Sequence, residues 1–366
     1  MKEFENKIYR RLLAPVLACL VLALAGCSQD ATEAEAPSSP TGGTYLTIVT
    51  RGINTTDDTQ YEDYVKTLRV IAFKGDATAS LNVRFEENEL PDHTGSGDDA
   101  EVDLTNQEKL QIGTGGGSYT FYFIANEDNH FTTSNTDLSK ALSADDITAE
   151  TLESMQVTFT QDEIKAPSTP ISKYMLMSTK MTVYIEEGVK KPIEIELVRA
   201  LAKAQLVLRK ETAATNINFT SISAVIGNGM IPVSYSLLPD KGEVITNYLS
   251  DEIALSGSFI FEEDGDFTNI YMSETFYLPE RYLTDENNYL EGALNLIVTT
   301  ANPEKEYAVP IGDDKGDSDA TNNDYNIIRN TAYTTTGTFS TPITINSLSF
   351  TCASWFNEKI VVPPYK

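Results

Sequence analysis

The chain has 366 residues, with 54 acidic against 27 basic side chains and a formal net charge of −27. Two histidines are too few for most zinc or histidine-based catalysis. The acidic balance also disfavours a nucleic-acid partner, because phosphate binding needs clustered Lys and Arg. At 41% hydrophobic, the chain can bury a sizeable core. Its length fits two domains or one large all-β domain, and 18 Tyr with many Thr, Val and Ile lean toward strands.

The N-terminus reads as an address. Lys2, Lys7, Arg10 and Arg11 precede an apolar run from Leu12 to Gly26, too short to span a bilayer comfortably and right for a signal-peptide core. The run ends in Leu24-Ala25-Gly26-Cys27, a match to the bacterial lipobox, so residues 1–27 are expected to be a lipoprotein signal whose Cys27 takes the lipid. Cys352 is then left without a partner in the mature chain, which excludes an intramolecular disulfide. Ser28 to Gly43 holds Pro, Gly and acids without apolar periodicity and reads as a solvated tether.

From Thr44 the pattern turns β-like. Tyr45 to Thr50 is a strand by composition, stopping at Arg51-Gly52 before a polar run, an arrangement open to a trypsin-like protease. Thr67 to Phe73 and Tyr119 to Asn126 are further strands, and Gly113 to Gly117 is a flexible turn, since no Gly-Lys-Ser/Thr and no helix follow it. Ser143 to Met155 is the best helix, with Ser143 as N-cap and Asp146 three residues on. Strands are expected again at Ile193 to Val198 and at Lys203 to Arg209, where Ala202, Ala204, Leu206 and Leu208 alternate with Lys203, Gln205, Val207 and Arg209 in a half-buried pattern. The remaining strands are Phe219 to Ile226, Phe259 to Phe261, Thr275 to Leu278, Leu294 to Thr300, Tyr307 to Ile311, Tyr325 to Ile328, Ala332 to Phe339, Ile343 to Phe350 and Ile360 to Val362. This is the sequence of β-sandwich domains with little helix. A boundary near Gly188 to Arg199 divides the chain into 28–51, the tether with the first strand, then 52–195 and 196–366.

Chemistry-bearing motifs are weak. Asp313 to Asp319 with Asn322 to Asp324 is carboxylate-rich, but Lys315 stands where a calcium ligand belongs and no Glu closes the loop. Glu262 to Asp266 reads likewise as a solvated hairpin loop. Paired carboxylates carry almost no glycosidase signal in so acidic a chain. Nothing local supports a thiol dyad of Cys352 with His93 or His130, and Trp355 reads as core or interface. No catalytic residue, metal or cofactor is expected.

Four segments together carry a family resemblance. Leu197-Val198-Arg199-Ala200-Leu201-Ala202-Lys203-Ala204-Gln205-Leu206, Tyr174-Met175-Leu176-Met177-Ser178, Thr275-Phe276-Tyr277-Leu278-Pro279-Glu280, and Tyr325-Asn326-Ile327-Ile328-Arg329-Asn330 with Tyr333 and Gly337 are similar, in order and spacing, to signatures of the fimbrillins, the type V pilins of anaerobic Gram-negative bacteria. In the second segment Thr179 and Lys180 replace the usual Gly. The resemblance implies an all-β fold of two transthyretin-like Greek-key β-sandwich domains with few short helices. It implies export as a lipoprotein to the outer membrane surface and cleavage between Arg51 and Gly52 by an arginine-specific protease. The strand carrying Tyr45, Leu46, Ile48 and Val49 would be removed, and a donor strand from Ile343 to Lys366, centred on Ile360, Val361 and Val362, would refill its place in a neighbouring subunit. A head-to-tail contact of this kind gives a filament. The implied partners are other pilin subunits, including anchor and tip, the protease, a host or bacterial surface receptor and, before cleavage, the membrane. Competing readings are a surface-anchored glycan-binding lipoprotein or tip adhesin, with Trp355 or exposed tyrosines as platform, and a carboxylate-based enzyme.

Overall fold

Tyr119 to Ala125 is an almost unbroken aromatic and β-branched run. In the computed structural model of the protein it forms the middle strand of a five-stranded sheet, buried on both faces. The structure describes residues 44–51, 65–75, 78–89, 101–103, 110–112, 116–164, 174–187, 191–214, 219–227, 229–239, 247–283, 293–301, 304–312, 325–340 and 344–354.

In chain order the first half contributes β1 (Thr44–Arg51), β2 (Leu68–Phe73), β3 (Leu81–Phe85), β4 (Glu101–Asp103), β5 (Gln111–Ile112) and β6 (Gly117–Ala125). Two short helices follow, α1 (Leu138–Leu142) and α2 (Ala149–Glu153), then β7 (Gln156–Thr158), β8 (Met177–Ile185), β9 (Lys191–Ile195) and β10 (Val198–Arg199). One sheet has the order β10-β8-β6-β2-β3; a smaller one has β4, β5 and β9 all pairing β1.

Alternate residues of Leu68 to Phe73 are sorted between two cores rather than between core and water. Leu68, Val70 and Ala72 join Tyr119, Phe121 and Phe123 in a cluster with Ile112, Ile193 and Ile195 of the smaller sheet. Ile71, Phe73, Tyr122 and Ile124, from the other face, join Leu138, Leu142 and Leu152 of the helices. That second cluster continues into Leu206, Leu208, Tyr235 and Leu278 of the second half, so the two halves share one core.

The second half contributes β11 (Leu201–Glu211), β12 (Ser221–Ile226), β13 (Ser234–Ser236), β14 (Ile253–Leu255), β15 (Gly257–Asp264), β16 (Phe267–Ser273), β17 (Phe276–Pro279), β18 (Leu294–Ala301), β19 (Lys305–Ile311), β20 (Thr331–Ser340) and β21 (Thr344–Ser354). One sheet runs β15-β16-β11-β20-β21, with β17 also on β11; the other runs β14-β12-β18-β19. Ala202, Ala204, Leu206 and Leu208 are buried and their alternates are half-buried, as the pattern predicts. Beside Leu208 the parallel partner is Gly337, where an added Cβ would stand 3.0 Å from the leucine's Cδ2. A two-stranded ladder of β7 and β13 ties the halves together.

Three expectations are corrected. The helix expected over Ser143 to Met155 is two helices, and Ser143 ends the first instead of starting the second: its Oγ donates to Ser139 O at 2.6 Å. The N-caps are Asp137, accepting from Lys140 N at 3.0 Å, and Thr148, accepting from Thr151 N at 3.1 Å. Asp137→Ala is expected to cost about 1 kcal/mol, as urea denaturation would measure; an unchanged midpoint would show that packing of Leu138 and Leu142 holds α1 alone. Tyr325 to Ile328 is not a strand. Tyr325 (φ 48°) and Asn330 (φ 56°) occupy the left-handed region, and Ile327 makes only an isolated bridge to Arg281. Glu262 to Asp266 is not a loop: β15 continues through Asp264, and Gly265 (φ 59°) turns the chain into β16. β3, β4, β5, β7, β8, β13, β14 and β16 are strands beyond those expected from the sequence.

Candidate functional site

The strand predicted to be removable occupies an interior place. On one side β1 pairs in parallel with β9, from Leu46 opposite Lys191 to Thr50 opposite Ile195. On the other, its end pairs with β4 (Val49 with Asp103, Arg51 with Glu101), and its start pairs with β5 (Thr44 with Ile112, Tyr45 with Gln111). Tyr45, Leu46, Ile48 and Val49 all stand in these ladders, and Arg51 is the strand's last residue. Among the described strands nothing else joins β9 to β4 or β5. Pro192, which has no N–H to donate, pairs with Thr47 and suits a strand that has only one described partner. The core behind this sheet is aromatic, with the rings of Phe121 and Phe123 stacked at 6.0 Å between centroids.

Gly52, Cys27, Trp355, His93, the acidic loop Asp313 to Asp324 and the donor residues Ile360, Val361 and Val362 lie outside the described residues. The upstream part of the expected donor region is β21, an edge strand laddered on β20 from Thr331–Ser354 to Ser340–Thr344. Cys352 stands opposite Tyr333 in that ladder.

The four family-like segments converge on structural contacts. Arg329 is buried with Glu280: Nε donates to Oε2 at 2.8 Å, Nη2 donates to Oε1, and Nη2 also reaches Ser236 O at 2.8 Å. Arg199 Nη1 donates to Asn330 Oδ1 at 2.9 Å, and Asn330 N donates to Leu201 O at the same distance. Ile328 N donates to Tyr333 Oη at 2.8 Å. Met175 O accepts from Asn126 Nδ2 at 2.9 Å, and Ser178 Oγ donates to Leu237 O at 2.5 Å, binding the first half to the second. The motifs therefore specify the junction, not a surface.

His130 is part of this interior. Its Nε2 lies 3.1 Å from Tyr174 O, and its Nδ1 lies 3.8 Å from Glu163 Oε1. Nearby Tyr235 is wholly buried, and burial first, with the charge of Glu163 second, pushes its hydroxyl well above the usual tyrosine range. A second buried ionic cluster, passed over in the sequence, centres on Glu127. Its Oε2 accepts from Arg69 Nε at 2.7 Å; its Oε1 accepts from Arg69 Nη2 at 2.8 Å, Arg84 Nη1 at 2.9 Å and Ser139 Oγ at 2.8 Å. A buried charge leaves no periodic trace in sequence, because Arg69 sits in a strand position that alternation assigns to a face, not to a partner. Among the described residues no group of three or more His, Cys, Asp or Glu is arranged to hold a metal ion, and no helix is long and apolar enough to cross a membrane.

No family model matches the sequence, and no curated protein does. Solved structures match through the fold. A tip fimbrial protein of Porphyromonas gingivalis, solved with its C-terminus truncated, superposes with a TM-score of 0.55 at 15% identity, covering 86% of this chain and 100% of that one. A candidate cell adhesion protein of Parabacteroides distasonis gives 0.52 at 14% identity, over 86% and 98% of the two chains. A fimbrial assembly protein of the same species gives 0.50 at 14%, over 85% and 95%. At such identities the likeness is one of fold: the chain shares the all-β sandwich architecture of these fimbrial proteins.

Proposed function

We propose that this chain, fimbrillin-like in fold, is a structural fimbrial subunit of the cell surface. On this reading it is exported as a lipoprotein through Cys27, cut between Arg51 and Gly52, and polymerised by strand donation from a neighbour. It is not an enzyme and takes no cofactor. One observation supports this above the others: a strand ending in arginine is laddered on both edges inside a sheet over an aromatic core. Cutting after Arg51 leaves β1 held only by non-covalent contacts, and its loss would open two strand edges at once. Refilling that place from another copy restores both ladders, and the contact repeats head to tail.

The test is N-terminal sequencing of the protein recovered from surface fibres. The expected first residue is Gly52. Fibres whose subunits still begin at a lipidated Cys27 would end this reading.

A second reading, a tip adhesin, draws on the likeness to a tip fimbrial protein. A tip needs to accept a strand but not to donate one. Deleting the residues after Asn357 discriminates: a stalk subunit loses polymerisation while folding normally, whereas a tip still caps a fibre.

A further inference from the structure

Four large hydrophobic side chains stand exposed among the described residues, and two of them share one edge strand: Phe259, 39% exposed, and Phe261, 71% exposed. β15 pairs only with β16 among the described strands, so among the described residues its outer edge has no strand partner. The two rings lie nearly parallel, 12° apart in plane with centroids 6.3 Å apart, and form one apolar surface. Between Phe259 and Glu262 the register with β16 shifts, an irregularity of the kind that re-aims side chains at sheet edges. Glu262, Glu263 and Asp264 follow on the same strand and Asp266 lies just past the turn, all exposed.

Carboxylates alone would merely protect an open edge from pairing. Two exposed phenyl rings do the opposite, so the combination selects a partner instead of repelling all of them. Charge decides which. Two copies meeting here would bring like charges together, in a chain whose net charge is already −27. A basic segment meets attraction from every feature: open main chain, carboxylates and ring faces that bind cations.

We propose that the outer edge of β15 receives an extended basic segment of a partner protein. The partner's main chain adds to the strand, its side-chain stems cover Phe259 and Phe261, and its Lys or Arg heads meet Glu262, Glu263 and Asp264. This surface is independent of the β1 site, since it lies in a sheet of the second half.

The test uses the purified full chain and two synthetic peptides of β15's length, one alternating Lys and Val, the other Glu and Val, with binding followed by calorimetry and hydrogen exchange. The Lys-Val peptide is expected to bind, more weakly as salt rises, and to slow exchange at the β15 amides. Phe259→Ser/Phe261→Ser is expected to weaken it about tenfold. Phe261→Ser alone, at a mostly exposed position, gives the same direction should the double variant misfold. Equal binding of both peptides, affinity unchanged in the Phe variants, or a glycan array lighting up through these rings while the Lys-Val peptide stays unbound would each overturn the proposal.

Discussion

Replacing Arg51 by alanine is expected to leave the purified precursor intact and monomeric under an arginine-specific protease, while the unaltered chain is cut before Gly52 and builds an oligomer ladder. The expectation follows from the place of Arg51 at the end of its strand. Arg51 closes β1 opposite Glu101, so the bond to Gly52 is the first one past the ladder. Cutting there severs β1 from the rest of the chain without touching the sheet. The strand is then held only by non-covalent contacts, among them its ladders with β4, β5 and β9, whose hydrogen bonds are each worth about 1 kcal/mol net. Exchange for an incoming strand thus becomes a matter of competition. Arg51→Lys supplies the rescue: resistant to the arginine-specific enzyme, it should ladder when trypsin is used instead. Gel electrophoresis without heating reads both results, and a drop in ladder intensity of about tenfold or more is expected for the alanine variant. A cut wild-type chain that stays monomeric, or an uncut variant that polymerises equally, would contradict the mechanism.

Glu127→Ala is expected to lower the unfolding free energy by about 3–5 kcal/mol, because it leaves a buried cation uncompensated. Glu127 is wholly buried and Arg69 is 5% exposed. Arg84 keeps Asp128, whose Oδ2 accepts from Nη2 at 2.7 Å. Among the described residues Arg69 then retains only neutral acceptors, Asn82 Oδ1 and Ser143 Oγ, both 2.9 Å away. A loss of that size is a large share of the roughly 5–15 kcal/mol that holds a domain folded. Arg69→Met/Glu127→Met removes both charges and keeps the bulk, so it should recover most of the loss. Urea denaturation of the three proteins checks this. A single variant destabilised by less than about 1 kcal/mol would show that water reaches Arg69.

The corrected elements show which signals are local. β1, β2, β6, β11, β18 and β20 are long enough for composition and period to identify them, and each was legible. β4, β5 and β13 have two or three residues and exist because a neighbour presents a ladder. Tyr325 to Ile328 has strand composition, yet its backbone closes around Tyr333 and Arg281. Phe259 to Phe261 read as a strand and is one, but its composition did not show that both phenyl rings stand exposed.

The order of residues alone determined the β-rich character and an arginine at the end of the first strand, because each is written in composition or spacing. Only the folded chain decided that β1 is an inner strand with partners on both edges, since those partners lie about 50 to 150 residues away along the chain. It alone decided too that the family-like segments meet around Arg329 and Glu280. Contacts between distant segments depend on which sheets stack, and stacking is settled by the sum of many buried contacts that no single stretch contains.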